Sequence, residues 1–290
     1  MNDCKVTVAS LPSLLADTDA NLEAVKTVCR DAAGQGSRLV LLPELMLTGH
    51  GGHPAMADNA EPVPDGPLTQ AMLALSKECG LAISVGLAEL TDHMVYNTEI
   101  VVDQGDFLGL QRKINMSGDE YLYFKPGEEL EVFDLDDIRF GIIICYDNHF
   151  PELALALSLA DVDLIHAPHA ARTGEWPPDP DSAFLKSKRD GQQAGWEKVH
   201  RARAADHNCF VLLNNAVGPS TEGLEGVTAN HAGTIMGIAP GGEVFLRSRI
   251  DECVAEAVTV TLEAGLRRTN HGPARNRRPG TVRNILKEYL

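Results

Sequence analysis

A thiol, a carboxylate and an amine stand at three distant places in this sequence, each directly after a run that reads as a strand. Cys145 ends the apolar run Phe140-Gly141-Ile142-Ile143-Ile144 and is followed by Tyr-Asp-Asn-His-Phe-Pro-Glu and then a helical stretch. A strand that delivers a nucleophile into a turn and helix is a recurrent way of exposing a reactive side chain. Backbone N–H groups at that helix start would lower a thiol pKa and hold an oxyanion. Glu44 follows Val40-Leu41-Leu42-Pro43. Locked by the proline and partly desolvated, its carboxylate would have a raised pKa suited to a general base. Lys113 follows Leu110-Gln111-Arg112. An ammonium there would depress the pKa of a nearby thiol and balance the oxyanion of a tetrahedral intermediate. None of these residues is specific alone, since a strand-end cysteine is usually a buried structural thiol and a lone Glu or Lys is usually solvated. Together they supply a nucleophile, a base and an electrostatic partner, and the ends of neighbouring strands in a sheet are where such groups meet.

The elements that must position them are legible as alternating short apolar runs and helical segments. Strands are predicted at residues 5–11, 38–42, 81–88, 96–102, 139–145, 163–167, 210–216, 233–239 and 252–262. Helices are predicted at 18–35, 66–79, 151–159 and 196–207. In the first of these Leu22, Val25, Cys29 and Ala33 recur on one face. The runs Val40-Leu41-Leu42 and Ile142-Ile143-Ile144 are apolar throughout, as in strands covered on both faces. Helices and strands interleave along the chain, which implies a layered α/β architecture. Residues 49–67 and 171–195 break the rhythm and read as long loops, of the kind that are functional or mobile in a compact domain. Neither divides the chain into separate cores, so residues 1–290 read as a single domain with 263–290 as a C-terminal tail.

Composition narrows the function classes. The 290 residues carry a formal charge of −16, which argues against nucleic acid or an anionic membrane as the main partner. The run Arg267-Arg268, Arg275, Arg277-Arg278 is a local exception, and it reads as a tail that packs against a partner subunit. Six scattered cysteines with no CxxC pair imply reduced thiols in a cytoplasmic protein. No stretch approaches the roughly 18 apolar residues of a spanning helix. The pairs His50-Gly-Gly-His53 and His166-Ala-Pro-His169 invite a metal reading, but their Gly and Pro residues place neither on a helix face, so no metal is expected.

The order Pro43-Glu44, Arg112-Lys113 and Ile144-Cys145-Tyr146-Asp147, followed by Phe150-Pro151-Glu152, resembles the nitrilase superfamily of carbon–nitrogen hydrolases. Supporting segments run from about residue 5 to 262: Glu120 with Phe124, Pro126 and Gly127; Trp196 with Arg201-Ala202-Arg203-Ala204; and Gly233-Thr234-Ile235-Met236 with Pro240-Gly241-Gly242. Asp206 and Thr234 stand where Glu and Ser are common, and residues 171–195 are longer than that connection usually is. The resemblance implies a four-layer αββα sandwich, a homodimer or higher homo-oligomer, and a Glu44–Lys113–Cys145 triad with Glu120 positioning lysine and substrate. It implies hydrolysis of an amide bond in a small molecule through a cysteine thioester, with no cofactor. Cys145-Tyr146-Asp147 in place of Cys-Trp-Glu favours an amide or carbamoyl substrate over a nitrile. Carbamoylases of this kind place arginines shortly after the nucleophile, where Asn148 and His149 stand here; Arg172 or the basic residues of 186–189 are the alternative anchors. Pocket candidates on the loops after the two strands are Tyr146, Asn148, His149, His169, Ala170, Arg172 and Trp176. A catalytically silent scaffold of the same fold is the competing class, and the presence of all four site residues argues against it.

Overall fold

The computed structural model describes residues 1–290 except 16, 222–223, 225–228, 249–252, 270–275 and 288–290. Arg275 of the basic run and residue 252, the start of the last predicted strand, lie outside the described residues.

Two six-stranded mixed sheets form the centre. The first contains β1 (Cys4–Ser10), β2 (Leu39–Leu41), β3 (Ala82–Thr91), β4 (Met94–Asp103), β5 (Asp106–Arg112) and β12 (Glu256–Leu262), in the order β12-β1-β2-β3-β4-β5. The second contains β6 (Val132–Asp134), β7 (Arg139–Ile142), β8 (Leu164–His169), β9 (Phe210–Pro219), β10 (Asn230–Ile238) and β11 (Val244–Arg247), in the order β11-β10-β9-β8-β7-β6. In each sheet three central strands run parallel and the flanking strands are antiparallel. Two of these central strands, β2 and β7, lead into the runs that are apolar throughout, as expected where both faces are covered.

The sheets stack face to face. Val6, Val8, Leu39 and Leu41 of the first pack against Phe140, Ile142, Leu164 and Leu212 of the second. Burying each such side chain contributes about 1.5–3 kcal/mol. On the outer face of the first sheet lie α1 (Thr18–Gly34) and α3 (Pro67–Cys79), through Val25, Cys29, Met72 and Leu75. On the outer face of the second lie α4 (Pro151–Leu159) and α5 (Ser182–His207), through Ala154, Leu157 and Ala204. The result is the αββα sandwich expected from the resemblance. Helix α1 starts on the Asp17 side chain, which accepts the Ala20 N–H, and α3 ends at Gly80 in the left-handed conformation.

Two differences from the sequence reading are structural. Helix α5 begins at Ser182, so half of the supposed loop 171–195 is helix. Asp181 caps it by accepting the Phe184 N–H, just beyond the proline-rich stretch. Strands β6 and β11 are missing from the expected set, being only 3 and 4 residues long, too short for an alternation to register, and β5 is longer than the run ahead of Lys113 suggests. The described part of the C-terminal tail is anchored on its own chain. Arg267 pairs with Asp161 and Asp163, and Arg277 donates to Ser158 Oγ and the Asp206 carbonyl. No helix among the described residues is long and apolar enough to cross a membrane.

Candidate active site

Strand β2 runs into Pro43 and Glu44, and the chain turns sharply at Leu45, whose φ is +50°. That turn lies directly on β3. A Cβ at Gly86 would stand 2.2 Å from the Leu45 nitrogen, so only glycine allows this approach. Strand β5 delivers Lys113, whose N–H donates to the Asn97 carbonyl and whose carbonyl accepts the Gly127 N–H. Strand β7 leads to Cys145, the first residue of a 3-10 turn spanning Cys145–His149, with φ at +47°. A non-glycine residue held in that region is strained, and such strain clusters at functional sites. All three residues therefore follow the C-terminal ends of their strands, at one end of the sandwich.

The side chains meet there. Lys113 Nζ donates to Glu44 Oε1 at 2.7 Å and to Glu120 Oε1 at 2.5 Å. Glu44 Oε1 also accepts from Asn97 Nδ2 (2.8 Å), and its Oε2 accepts the Ala170 N–H (2.7 Å). Glu120 Oε2 accepts from the Ser117 N–H and Oγ, completing a capping box at the short 3-10 turn Gly118–Leu122. All three charged side chains are at most 2% exposed. The Asp147 carboxylate accepts the N–H groups of Ile114 and Asn115 and the Asn115 amide, tying the lysine segment to the nucleophile turn.

Burial pushes the Cys145 thiol well above the ordinary range; the Glu44 charge adds to this and Lys113 opposes it. This departs from the expectation of a thiol acidified by helix N–H groups: the resting cysteine is a neutral thiol whose proton must be removed. Burial alone would depress the Lys113 ammonium, but the charges of Glu44, Cys145 and Glu120 outweigh it and hold lysine protonated. Burial would likewise raise Glu120; His50 and Lys113 reverse that and keep it ionised.

These groups open onto a cavity of about 270 Å³, at the small end for a ligand site. Of the sequence candidates, Tyr146, His149, His169, Ala170 and Arg172 line it. Asn148 does not: its amide donates to the Ile143 and Cys145 carbonyls and shapes the turn instead. Trp176 does not either, because its indole donates to Thr173 Oγ1 and its ring meets Phe184. The cavity is walled by Trp196 instead, stacked on His169 with ring centroids 4.5 Å apart. His50 and Ser117 also line it and were not anticipated there. The spacing Ser117-x-x-Glu120 is a capping-box signature that sequence alone offers, whereas His50 stands out there only as half of the His50-Gly-Gly-His53 pair, which says nothing of this cavity.

Glu44, His50 and Glu120 bring three ligand-type atoms within 4.8 Å of one another. The Lys113 ammonium already sits against both carboxylates, so the chain's own cation fills the place a metal would take. The other histidine pair is split: His166 faces Ser84 and Asn214 between the sheets, while His169 faces the cavity.

With this geometry in place, comparison with known proteins is informative. The sequence model of the carbon-nitrogen hydrolase family matches residues 5–251. The chain belongs to that family. It is 32% identical to a nitrilase of Pyrococcus abyssi over 57% of this chain and 64% of that one, so the match spans just under two thirds of that relative. It is 28% identical to an N-carbamoylputrescine amidase of Solanum lycopersicum over 97% of this chain and 95% of that one. Among solved structures, a mutant amidase from Nesterenkonia sp. AN1 superposes with a TM-score of 0.78 at 18% identity, covering 97% of this chain and 96% of that one. That amidase carries the acetamide moiety of fluoroacetamide covalently on its active-site cysteine. The protein is thus a hydrolase of carbon–nitrogen bonds, with the fold of the nitrilase superfamily.

Proposed function

We propose that this carbon–nitrogen hydrolase cleaves a small linear amide or carbamoyl compound through a Cys145 thioester, with Glu44 as proton carrier and Lys113 as oxyanion partner. The observation that carries this reading is the buried Lys113 ammonium, held at once by Glu44 and Glu120 beside a neutral thiol. Glu44 takes the Cys145 proton as sulfur attacks the carbonyl carbon. Lys113 and the Tyr146 N–H balance the charge gathering on oxygen. The carbon–nitrogen bond breaks as protonated Glu44 returns the proton to nitrogen, and ammonia or an amine leaves. Glu44 then deprotonates a water, which attacks the thioester and frees the acid and the thiol. Glu120 acts through Lys113, fixing its position from the Ser117 capping box. The step sequence balances with water alone as co-substrate.

The test is ammonia release from a panel of amides, carbamoyl compounds and nitriles. We expect turnover of amides or carbamoyl compounds, an acyl-protein mass that appears under rapid quench, and loss of both in Cys145→Ala. Turnover that survives this substitution, or turnover of nitriles alone, overturns the reading.

We propose further that the protein works in the cytoplasm as a homodimer. The six free cysteines support the first point. An apolar groove between α4 and α7 (Pro279–Leu286), edged by exposed Leu159 and by Val282, supports the second. Sedimentation of the wild type at twice the monomer mass, with Leu159→Asp shifting it to the monomer, is the expected outcome.

A further inference from the structure

The cavity wall holds an imidazole that the reaction does not use, and a second packs against it. His169, at the end of β8, and His200, on α5, are each 1% exposed, and their rings meet edge to face with centroids 5.8 Å apart. Neither Nδ1 nor Nε2 of either ring has a hydrogen-bond partner among the described residues. Leaving a buried polar atom unpaired is destabilising, so four such nitrogens in two packed rings are a costly way to fill space that phenylalanines would fill. His169 and Trp196 line the cavity shared with Cys145, and His200 packs against His169. The wall of the space that a substrate enters therefore includes one imidazole, His169, with both nitrogens buried and unpaired.

We propose that His169, backed by His200, recognises an uncharged hydrogen-bonding group, such as a second amide or a ureido function, on the part of the substrate remote from the scissile bond. This rests on the site assigned above and names the class of compound it takes. Uncharged is the operative property. Burial keeps both imidazoles neutral, and Lys113 adds to this for His169. A neutral ring offers one donor and one acceptor, which matches an amide. Among the described residues that line the cavity, a carboxylate would find no unpaired lysine or arginine: Lys113 is shared by two glutamates, and Arg172 is paired with Asp119 at 2.8 Å.

The test is affinity rather than turnover, measured calorimetrically with Cys145→Ala protein. The probes are glutaramide, its hydrocarbon isostere 5-methylhexanamide, and the carboxylate analogue glutaramate, with the same comparison repeated on chains one and two methylenes shorter. Glutaramide or a shorter diamide is expected to bind at least about tenfold more tightly than its isostere and its carboxylate analogue. In His169→Leu that preference falls to within about twofold, and His169→Asn, which keeps a donor and an acceptor, restores part of it. Equal affinities, a tighter carboxylate, a preference that survives His169→Leu, or no binding of any diamide below about 10 mM overturns the proposal. The Cys145→Ala ratios stand even if the histidine variants do not fold. Failure of the catalytic reading would show separately, as turnover without Cys145.

Discussion

At the scale of single residues, the site turns on which charge pushes the Cys145 proton and which pulls it. After burial, the Glu44 carboxylate does most to hold the proton on sulfur, and Lys113 pulls the other way. Glu44→Gln removes the anion and leaves the ammonium. The thiol should then ionise at lower pH than in the wild type, although the variant has lost its base. Iodoacetamide labelling of Cys145 against pH is expected to shift to lower pH, while amide turnover falls about 10²–10⁴-fold for want of a proton donor to nitrogen. These two effects have opposite signs, and a role for Glu44 confined to shaping the turn predicts neither. A labelling profile that moves to higher pH would show that Glu44, and not Lys113, is what stabilises the thiolate.

At the scale of elements, the nucleophile turn and the lysine segment come from different sheets and are clamped by Asp147, which accepts three N–H groups from Ile114 and Asn115. Asp147→Ala leaves those donors unpaired. We expect a loss of about 1–3 kcal/mol in urea unfolding, with kcat reduced more than KM because Lys113 and Cys145 lose their registration; an unchanged kcat would remove Asp147 from the positioning of the site. This clamp was not legible in the sequence, where Asp147 signified only a departure from Cys-Trp-Glu. What was legible followed from burial on both faces. The runs 40–42 and 140–144 announce central strands, and the residues just past them are the ones that meet. Helix α4 was read with its observed bounds because Pro151 opens it and Leu153, Ala154 and Leu157 follow. Helix α5 was read as starting 14 residues late, at 196 instead of 182. Its first half carries Gly191, Gly195 and a run of lysine and arginine, and the face it buries there is polar, Arg189 and Gln193, which no apolar periodicity reveals. The same masking misplaced the tryptophan. Trp196 lies on the helix face that reaches His169, while Trp176 lies before the helix and bonds to its own loop.

At the scale of the whole molecule, the site also joins the two sheets. Glu44 follows a strand of the first sheet and accepts the N–H of Ala170, which follows β8 of the second; Asn214 of β9 donates to the carbonyls of Ala9 and Leu41. Global stability should therefore report the charge state of the buried Glu44–Lys113–Glu120 group. In the wild type, Glu120 is held ionised below its ordinary 4.5 by His50 and Lys113 acting against burial. Its contribution to stability is present above that value and is lost as pH falls toward the lowered one. Lys113 is held above its ordinary 10.5 by Glu44, Cys145 and Glu120, again against burial, so its contribution is complete below 10.5 and is lost as pH rises from there through the raised value. Lys113→Met keeps the volume and removes the charge, leaving two carboxylates buried without a counter-ion. Such a loss costs about 3–5 kcal/mol near neutral pH. In this variant the folded-state carboxyl pKa values rise above the unfolded ones, so the folded state binds the extra protons and acid relieves the deficit. Urea unfolding of both proteins at about pH 8 and about pH 5 should show the gap narrowing at the lower pH. A gap of constant size would mean that the carboxylates reach water once the lysine is gone, and that the ion group does not hold this end of the sandwich together.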